Sequence, residues 1–502
     1  VKSRADRVAM REKDLGIWQE ISWTVYGEKA KLTGLALHTL GLEKGNVVSI
    51  ASEGMPEWLY TDMGTIGAGG ISSGIYTTDS AEQVKYLVND SSTKFYFAEN
   101  EEQLDKILEV RSECPTLKQI IVFDMEGLNE FHDDQVISYE EFLKIGEKAN
   151  QEKPDLWESL INNVNSSDIA ILVYTSGTTG PSKGAMINHE NILYSINTGY
   201  DIFETMEHEE QLSFLPLCHI LERSVSVMIP LKTGAVVNFA ESIDTVPENI
   251  REVSPTVFIA VPRIWEKFYS SITILMKDAT FIGKYSYQFS INVGARYKEY
   301  FIDGKVPPLS LKILYWLCNQ LVLKNIKKLL GLNNCRYGLS GAAPISPELI
   351  NWYLSIGIDM REGWGMTETS GVGTAFYSRE IKLGHVGRAV NDSEIRIADD
   401  GEILFKGPGV FCGYLNKPEQ TKETLIDGWL HTGDVGEMDN YGNVKITDRK
   451  KDIIITAGGK NISPSEIENE LKFSPFVSDA VVIGDKRKFL SCLIMIDEEN
   501  VM

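Results

Sequence analysis

The sequence predicts a large α/β domain of mixed and largely parallel sheets, followed by a small β-rich unit. Two observations carry this. Apolar bursts of strand length alternate with helical segments through the first half of the chain, the signature of a parallel α/β sheet. After about residue 385 the pattern changes to short strands and tight turns. Composition agrees: 502 residues are too many for one ordinary domain, and 43% hydrophobic with 10% aromatic residues is ample material for a core.

Taken in order, the strand candidates are "NVVSIAS" (46–52), "KFYFAEN" (94–100), "KQIIVFD" (118–124), "IAILVYT" (169–175) and "TVFIAV" (256–261). Between them, "SAEQVKYLVND" (80–90) opens with Ser80 and Gln83 in capping-box register, predicting a helix. After Pro307-Pro308, the run "ILYWLCNQLVL" (313–323) reads as an amphipathic helix with Lys312, Asn319, Gln320, Lys324, Lys327 and Lys328 near one stripe. It is too short and too polar to cross a bilayer. Packing on its own domain is the simpler expectation for 309–333, with a membrane-surface or homodimer contact as the alternatives. From 385 to 447 the turn signals "DDGEI", "KGPGV", "IDGWL" and "DNYGNV" predict a small β-barrel or other β-subdomain.

A formal charge of −22 argues against a nucleic-acid partner, because such a surface repels polyanions. Six cysteines (Cys114, Cys218, Cys318, Cys335, Cys412 and Cys492) are scattered singly, which fits reduced thiols in a cytoplasmic protein. The chain opens on "VKSRADR", with neither a signal peptide nor an initiator methionine, so a longer parent chain is expected.

The most informative stretch is "YTSGTTGPSKG" (174–184), which is too poor in apolar side chains to fill a core. It follows a buried strand, and its glycine amides, hydroxyls and Lys183 suit it to surround phosphate oxygens. It is not the P-loop G-x-x-x-x-G-K-[ST]: Ser182 precedes Lys183 and Gly184 follows it. Four more stretches come after it: "YGLSGAAPIS" (337–346), "EGWGMTETS" (362–370), "WLHTGD" (429–434) and "DRKKDIIITAGGKNISPSEIE" (448–468). Together, in this order and over nearly the whole chain, they resemble the core motifs of the AMP-forming adenylating superfamily. "LPLCHILER" (215–223) and "VPRIW" (261–265) look like its long-chain and bubblegum-type fatty acyl-CoA synthetases.

The resemblance implies ATP, Mg2+ and coenzyme A as cofactors, and a role for each matching residue. Thr175, Ser176, Gly177, Thr178, Thr179 and Lys183 would cradle phosphates, and Glu368 with Thr175 would hold the metal. Gly341, Ala342 and Ala343 would line the adenine slot, with Trp364 in the aromatic stacking position and Glu362, Gly363, Gly365 and Thr367 around it. Asp434 and Arg449 would hold the ribose. His219, with Gly341 on the acyl side, would lie near the reacting carboxylate, and Trp265 would either gate the acyl tunnel or simply anchor the core. Lys451 would be the hinge of a lid, and Gly458, Gly459 and Lys460 would face coenzyme A.

The implied organisation is an AMP-binding domain over 1–448 and the beginning of a small α+β lid over 449–502. The lid is expected to be incomplete, because no "PKT-x-x-GK" segment with the family's adenylation lysine is present. The implied function is activation of a fatty acid to acyl-adenylate and transfer to coenzyme A. The segment 215–224 lacks the aspartate that binds an α-amino group in peptide-synthetase domains, so an amino acid substrate is not expected. An acyl-AMP ligase with another acceptor and a non-catalytic acyl or nucleotide sensor remain as alternatives.

Overall fold

The computed structural model describes residues 3–175, 180–203, 208–302, 304–377 and 381–498. All five apolar bursts are strands, and Ala81–Ser91 is a helix whose Ser80 and Gln83 form the reciprocal capping box. A seven-stranded sheet runs in the order Val136–Ser138, Gln119–Val122, Phe95–Ala98, Val47–Ala51, Ile71–Ile75, Ile169–Thr175, Lys183–Asn188. Its pairs are parallel except the last, a hairpin in which Thr175 faces Lys183. Val47–Ala51 is buried at every position, as expected of a strand covered by helices on both faces.

A second, mixed sheet orders Glu210–Ser213, Val236–Phe239, Val8–Asp14 and Ile17–Ser22. A third, parallel sheet is built from Val257–Ala260, Tyr337–Ser340 and Asp359–Glu362. Its first crossover is long and holds the helices Pro262–Asp278, Phe281–Ile302 and Leu309–Cys318, the last continuing through a π-turn at Asn319–Leu323 into Lys324–Leu329.

The β-rich region is antiparallel, with Glu394–Ile397, Glu402–Lys406, Leu425–Ile426 and Val444–Arg449 arranged around the long strand Trp429–Met438. Val444 at its edge exchanges backbone hydrogen bonds with Val386 and Gly387. Beyond it, Ser463 caps the helix Pro464–Lys472, and Val477–Ile483 pairs with Ser491–Ile496. This C-terminal segment rests on Pro262–Asp278, where Tyr269 stacks on Phe473 at 5.1 Å and Lys277 sits 3.8 Å from the Phe476 ring centre.

Candidate active site

A cavity of about 880 Å3 opens where the carboxyl ends of strands from the first and third sheets approach one another, the usual ligand position in parallel α/β architectures. All five motif stretches reach it. Its lining includes Thr175 and Lys183, Gly341 and Ala342, the run Glu362 to Glu368, Thr432 and Gly433, and Arg449. His219 lines it as well. Ser176, Gly177, Thr178 and Thr179 lie outside the described residues. Ala343 and Asp434 are not on the wall.

The hairpin of Ile169–Thr175 and Lys183–Asn188 is pinned from outside. Tyr174 donates to Asp90 Oδ2 at 2.9 Å, and Tyr86 donates to the Ser182 carbonyl at 2.8 Å. Opposite the hairpin, Glu368 is 6% exposed, and the Tyr414 hydroxyl donates to its Oε1 at 2.5 Å. Burial pushes the Tyr414 hydroxyl pKa up, so it stays a donor at neutral pH. The Lys183 ammonium lies 4.6 Å from the Tyr414 ring centre. A carboxylate, a threonine hydroxyl and a lysine thus share one corner of the cavity, with Tyr414 touching two of them. Carboxylate and hydroxyl oxygens are the hard donor set that Mg2+ takes.

The second corner is built around Trp364. Its indole N–H donates to Asp434 Oδ2 at 2.7 Å, and Arg449, paired in register with Asp434, brings its Nε to 3.5 Å from Oδ1. Asp434 is therefore held just behind the wall by the two residues that reach it. Burial raises its pKa, countered by Trp364 and Arg449. A Cβ on Gly373 would fall 2.4 Å from the Trp364 ring, so only glycine lets the ring lie flat there. Ala342 has φ +67°, a left-handed conformation that costs energy for a residue with a Cβ and tends to mark functional walls.

His219 caps the helix Ile220–Arg223, and its Nδ1 accepts from the Leu221 N–H at 3.2 Å. Burial lowers its pKa, so the neutral ring carries its proton on Nε2, as a donor available to the cavity. The outward face of the same helix is anchored in the core. Arg223 pairs with Asp62, both fully buried, and Glu222 accepts from Ser213 and Ser226, each at 2.6 Å. Beside His219 the wall turns apolar with Phe203, Leu221, Val225, Ile229 and Leu339.

Glu362 stands apart. Burial pushes its carboxyl up to about 8, opposed only by a backbone hydrogen bond at Ile345, so it is largely protonated at neutral pH. The wall also carries Asp79, Glu368, Glu402 and Glu423 against the cations Lys183 and Arg449. A polyphosphate entering such a cavity needs a divalent cation to offset repulsion.

The structure separates Trp265 from this cavity. It is 0% exposed, set edge-on against Phe258 and Tyr353, and faces Gly338 at 3.0 Å from where a Cβ would stand. Tyr337 and Leu339, on either side of Gly338, line the cavity, so Trp265 lies on the opposite face of that strand. In this conformation it fills the core, the second of the two sequence alternatives, and does not line this cavity. Lys451, Gly458, Gly459 and Lys460 are exposed and off the cavity wall.

Sequence reasoning missed Tyr414, Tyr86 and Glu402. Tyr414 reaches Glu368 across 46 residues and Tyr86 reaches Ser182 across 96, so no local pattern marks either. Glu402 accepts from the Gly433 N–H at 2.9 Å and pairs with Lys450 at 3.0 Å, bracing the turn of "WLHTGD".

Known proteins with the same features bear on this site. The AMP-binding enzyme family matches residues 1–415, and the AMP-binding enzyme C-terminal domain matches residues 451–501. The long-chain-fatty-acid–CoA ligase ACSBG2 of Xenopus laevis is 34% identical over 98% of this chain and 68% of its own length. The long-chain-fatty-acid–CoA ligase FadD15 of Mycobacterium tuberculosis is 32% identical over 96% of this chain and 78% of its own. Among solved structures, the anthranilate CoA ligase AuaEII with anthranoyl-AMP superposes with a TM-score of 0.75 at 20% identity, covering 99% of this chain and 85% of that one. The chain belongs to the AMP-binding enzyme family and has the fold of its adenylating members.

Proposed function

We propose that this protein activates a fatty acid as its acyl-adenylate and transfers the acyl group to coenzyme A. The observation that carries the reading is the convergence of five sequence stretches, spread from residue 174 to residue 449, on one cavity. Its volume is in the range of about 300–1,000 Å3 that small-molecule sites occupy.

In this reading, attack of the fatty carboxylate on the α-phosphorus of ATP forms the acyl–phosphate bond and releases pyrophosphate. The thiol of coenzyme A then attacks the acyl carbon and releases AMP. Mg2+, held by Glu368 and Thr175, would offset charge on the phosphate oxygens. Tyr414 fixes the Glu368 carboxylate, and Lys183 supplies a cation at the phosphate loop, so the transition state meets an arrangement set in advance. Trp364, Gly341 and Ala342 flank the adenine, and Asp434 and Arg449 take the ribose hydroxyls as acceptor and donor. His219 directs its Nε2–H at a carboxylate oxygen. The apolar wall beside it supports an aliphatic acid, as do relatives named for long-chain fatty acids. Residues 1–448 form the adenylate-binding body, and 449–502 belong to a lid turning about Lys451, with Gly458, Gly459 and Lys460 toward coenzyme A.

The test is product analysis. The full-length protein is incubated with ATP, Mg2+, coenzyme A and acids from acetate to very long chains, and AMP and acyl-CoA are quantified. The expected result is AMP and acyl-CoA together, with long-chain acids preferred. AMP with acyl-adenylate but no thioester would point to another acceptor, and no AMP with any acid would overturn the reading.

A further inference from the structure

The helices of the long crossover have an outer surface that the adenylation chemistry does not use. Phe281–Ile302 and Leu309–Cys318 are joined by a short connection and lie side by side, with Tyr297 and Tyr315 stacked at 4.1 Å. Their inner side meets the core through Val293, Cys318, Leu323 and Ile326.

The sequence predicts an amphipathic helix over 313–323, and in the structure large apolar side chains also face outward. Leu309, Ile313, Trp316, Leu317 and Leu321 follow one another at helical spacing and are 43–72% exposed. Phe281, Ile282, Tyr285 and Phe289 make a second stripe, 43–83% exposed, and Val306 in the connection is 78% exposed. With so many apolar residues on its inner side too, the helix is left apolar on two faces. Exposed apolar stripes of this extent mark interaction surfaces.

Charge selects the partner. Residues 304–330 carry five lysines (Lys305, Lys312, Lys324, Lys327 and Lys328) and no acidic residue, in a chain whose net charge is −22. A second copy meeting this face by two-fold symmetry would set lysines against lysines. An anionic lipid surface is complementary to both features, apolar side chains entering the acyl boundary and ammonium groups meeting headgroups. Among the described residues no helix is long and apolar enough to cross a membrane, so any contact of these helices is interfacial.

We infer that the helix pair 281–329 is a docking face for an anionic membrane surface, entered by Trp316, Leu321 and Phe281 and held by Lys312, Lys324 and Lys328. The inference goes beyond the proposed reaction and does not depend on it.

The experiment is flotation with vesicles of neutral phosphatidylcholine or of phosphatidylcholine with 30% phosphatidylserine, at low and at 0.5 M salt. The expected result is flotation with anionic vesicles that falls at least tenfold at high salt. It should fall as far in Trp316→Ser/Leu321→Ser and in Lys324→Glu/Lys328→Glu, while ATP binding and melting temperature stay unchanged in both. Because these side chains are exposed, the variants should fold, and melting curves verify it. No flotation, or flotation unaffected by both pairs of substitutions, would overturn the inference. Dimerisation in sedimentation velocity that Trp316→Ser/Leu321→Ser abolishes, without vesicle binding, would instead assign the face to a second copy.

Discussion

The adenylate cavity and the C-terminal segment both carry residues picked from the same run of motifs, yet they are built in opposite ways. In the cavity, Glu368, Trp364 and Asp434 are nearly buried, and each is fixed by a partner from a distant stretch. In the segment, Lys451, Gly458, Gly459 and Lys460 stand in solvent, away from the cavity wall. Groups that must hold a nucleotide gain from a core that fixes them before it arrives. Groups needed for one step of a reaction gain from a loosely packed piece that can move. Arg449 joins the two, its side chain 58% exposed and its Nε on Asp434.

The largest expected effect lies on the fixed side. Glu368→Gln keeps the shape and the Tyr414 contact but removes the charge, so AMP formation should fall about 100- to 1,000-fold with little change in melting temperature. Near-normal AMP formation would remove Glu368 from the metal site. Trp265→Ala tests where the fixed region ends: as a core residue it should cost about 3–5 kcal/mol of stability without altering chain-length preference. A shifted preference with modest destabilisation, measured by melting and by an acyl-chain profile, would return Trp265 to the acyl path.

Glu222 tests the anchor behind His219. Burial raises its carboxyl from 4.5 to about 7, so the folded protein holds that proton more tightly than the unfolded chain. Stability is therefore lost as pH climbs from 4.5 through 7. Glu222→Gln, which can still accept from Ser213 and Ser226, should stabilise the protein above pH 7 by up to about 3 kcal/mol and leave it unchanged below pH 4.5. Denaturant titrations at both ends of that window measure the difference.

Smaller still, Tyr414→Phe keeps the ring under Lys183 and removes one hydrogen bond to a charged group. The Mg2+ concentration giving half-maximal ATP binding should rise about tenfold, with the maximal level preserved. On the exposed side, Lys460→Ala should leave ATP affinity within about twofold, because among the described residues Lys460 does not line the cavity. A large loss of ATP affinity there would erase the contrast between the two regions.

Much of the fold was legible in the sequence because its signals are local. Buried parallel strands read as apolar bursts, Ser80 and Gln83 mark a helix start within four residues, and the turn signals locate the antiparallel region. The site was legible in outline, since the motifs are contiguous stretches. Its supports were not: Tyr414 on Glu368 and Arg223 on Asp62 span 46 and 161 residues, and only the folded chain brings them together. The place of Trp265 was left open for a related reason. A tryptophan after Pro-Arg-Ile has the same local appearance on either face of a strand, and the choice depends on Gly338, far along the chain. The face of 309–329 turned to solvent was hidden too, because a helix apolar on two sides does not declare which side the core takes.

The most direct test of the central claim, that this cavity is an acyl-adenylate site, is calorimetric binding of a non-hydrolysable long-chain acyl-adenylate analogue. The chain as it stands is compared with Trp364→Ala, Asp434→Asn and Lys460→Ala. One-to-one binding that falls at least tenfold in Trp364→Ala and Asp434→Asn and stays within twofold in Lys460→Ala is the predicted result. Absence of binding, or equal affinity in all four proteins, would contradict it.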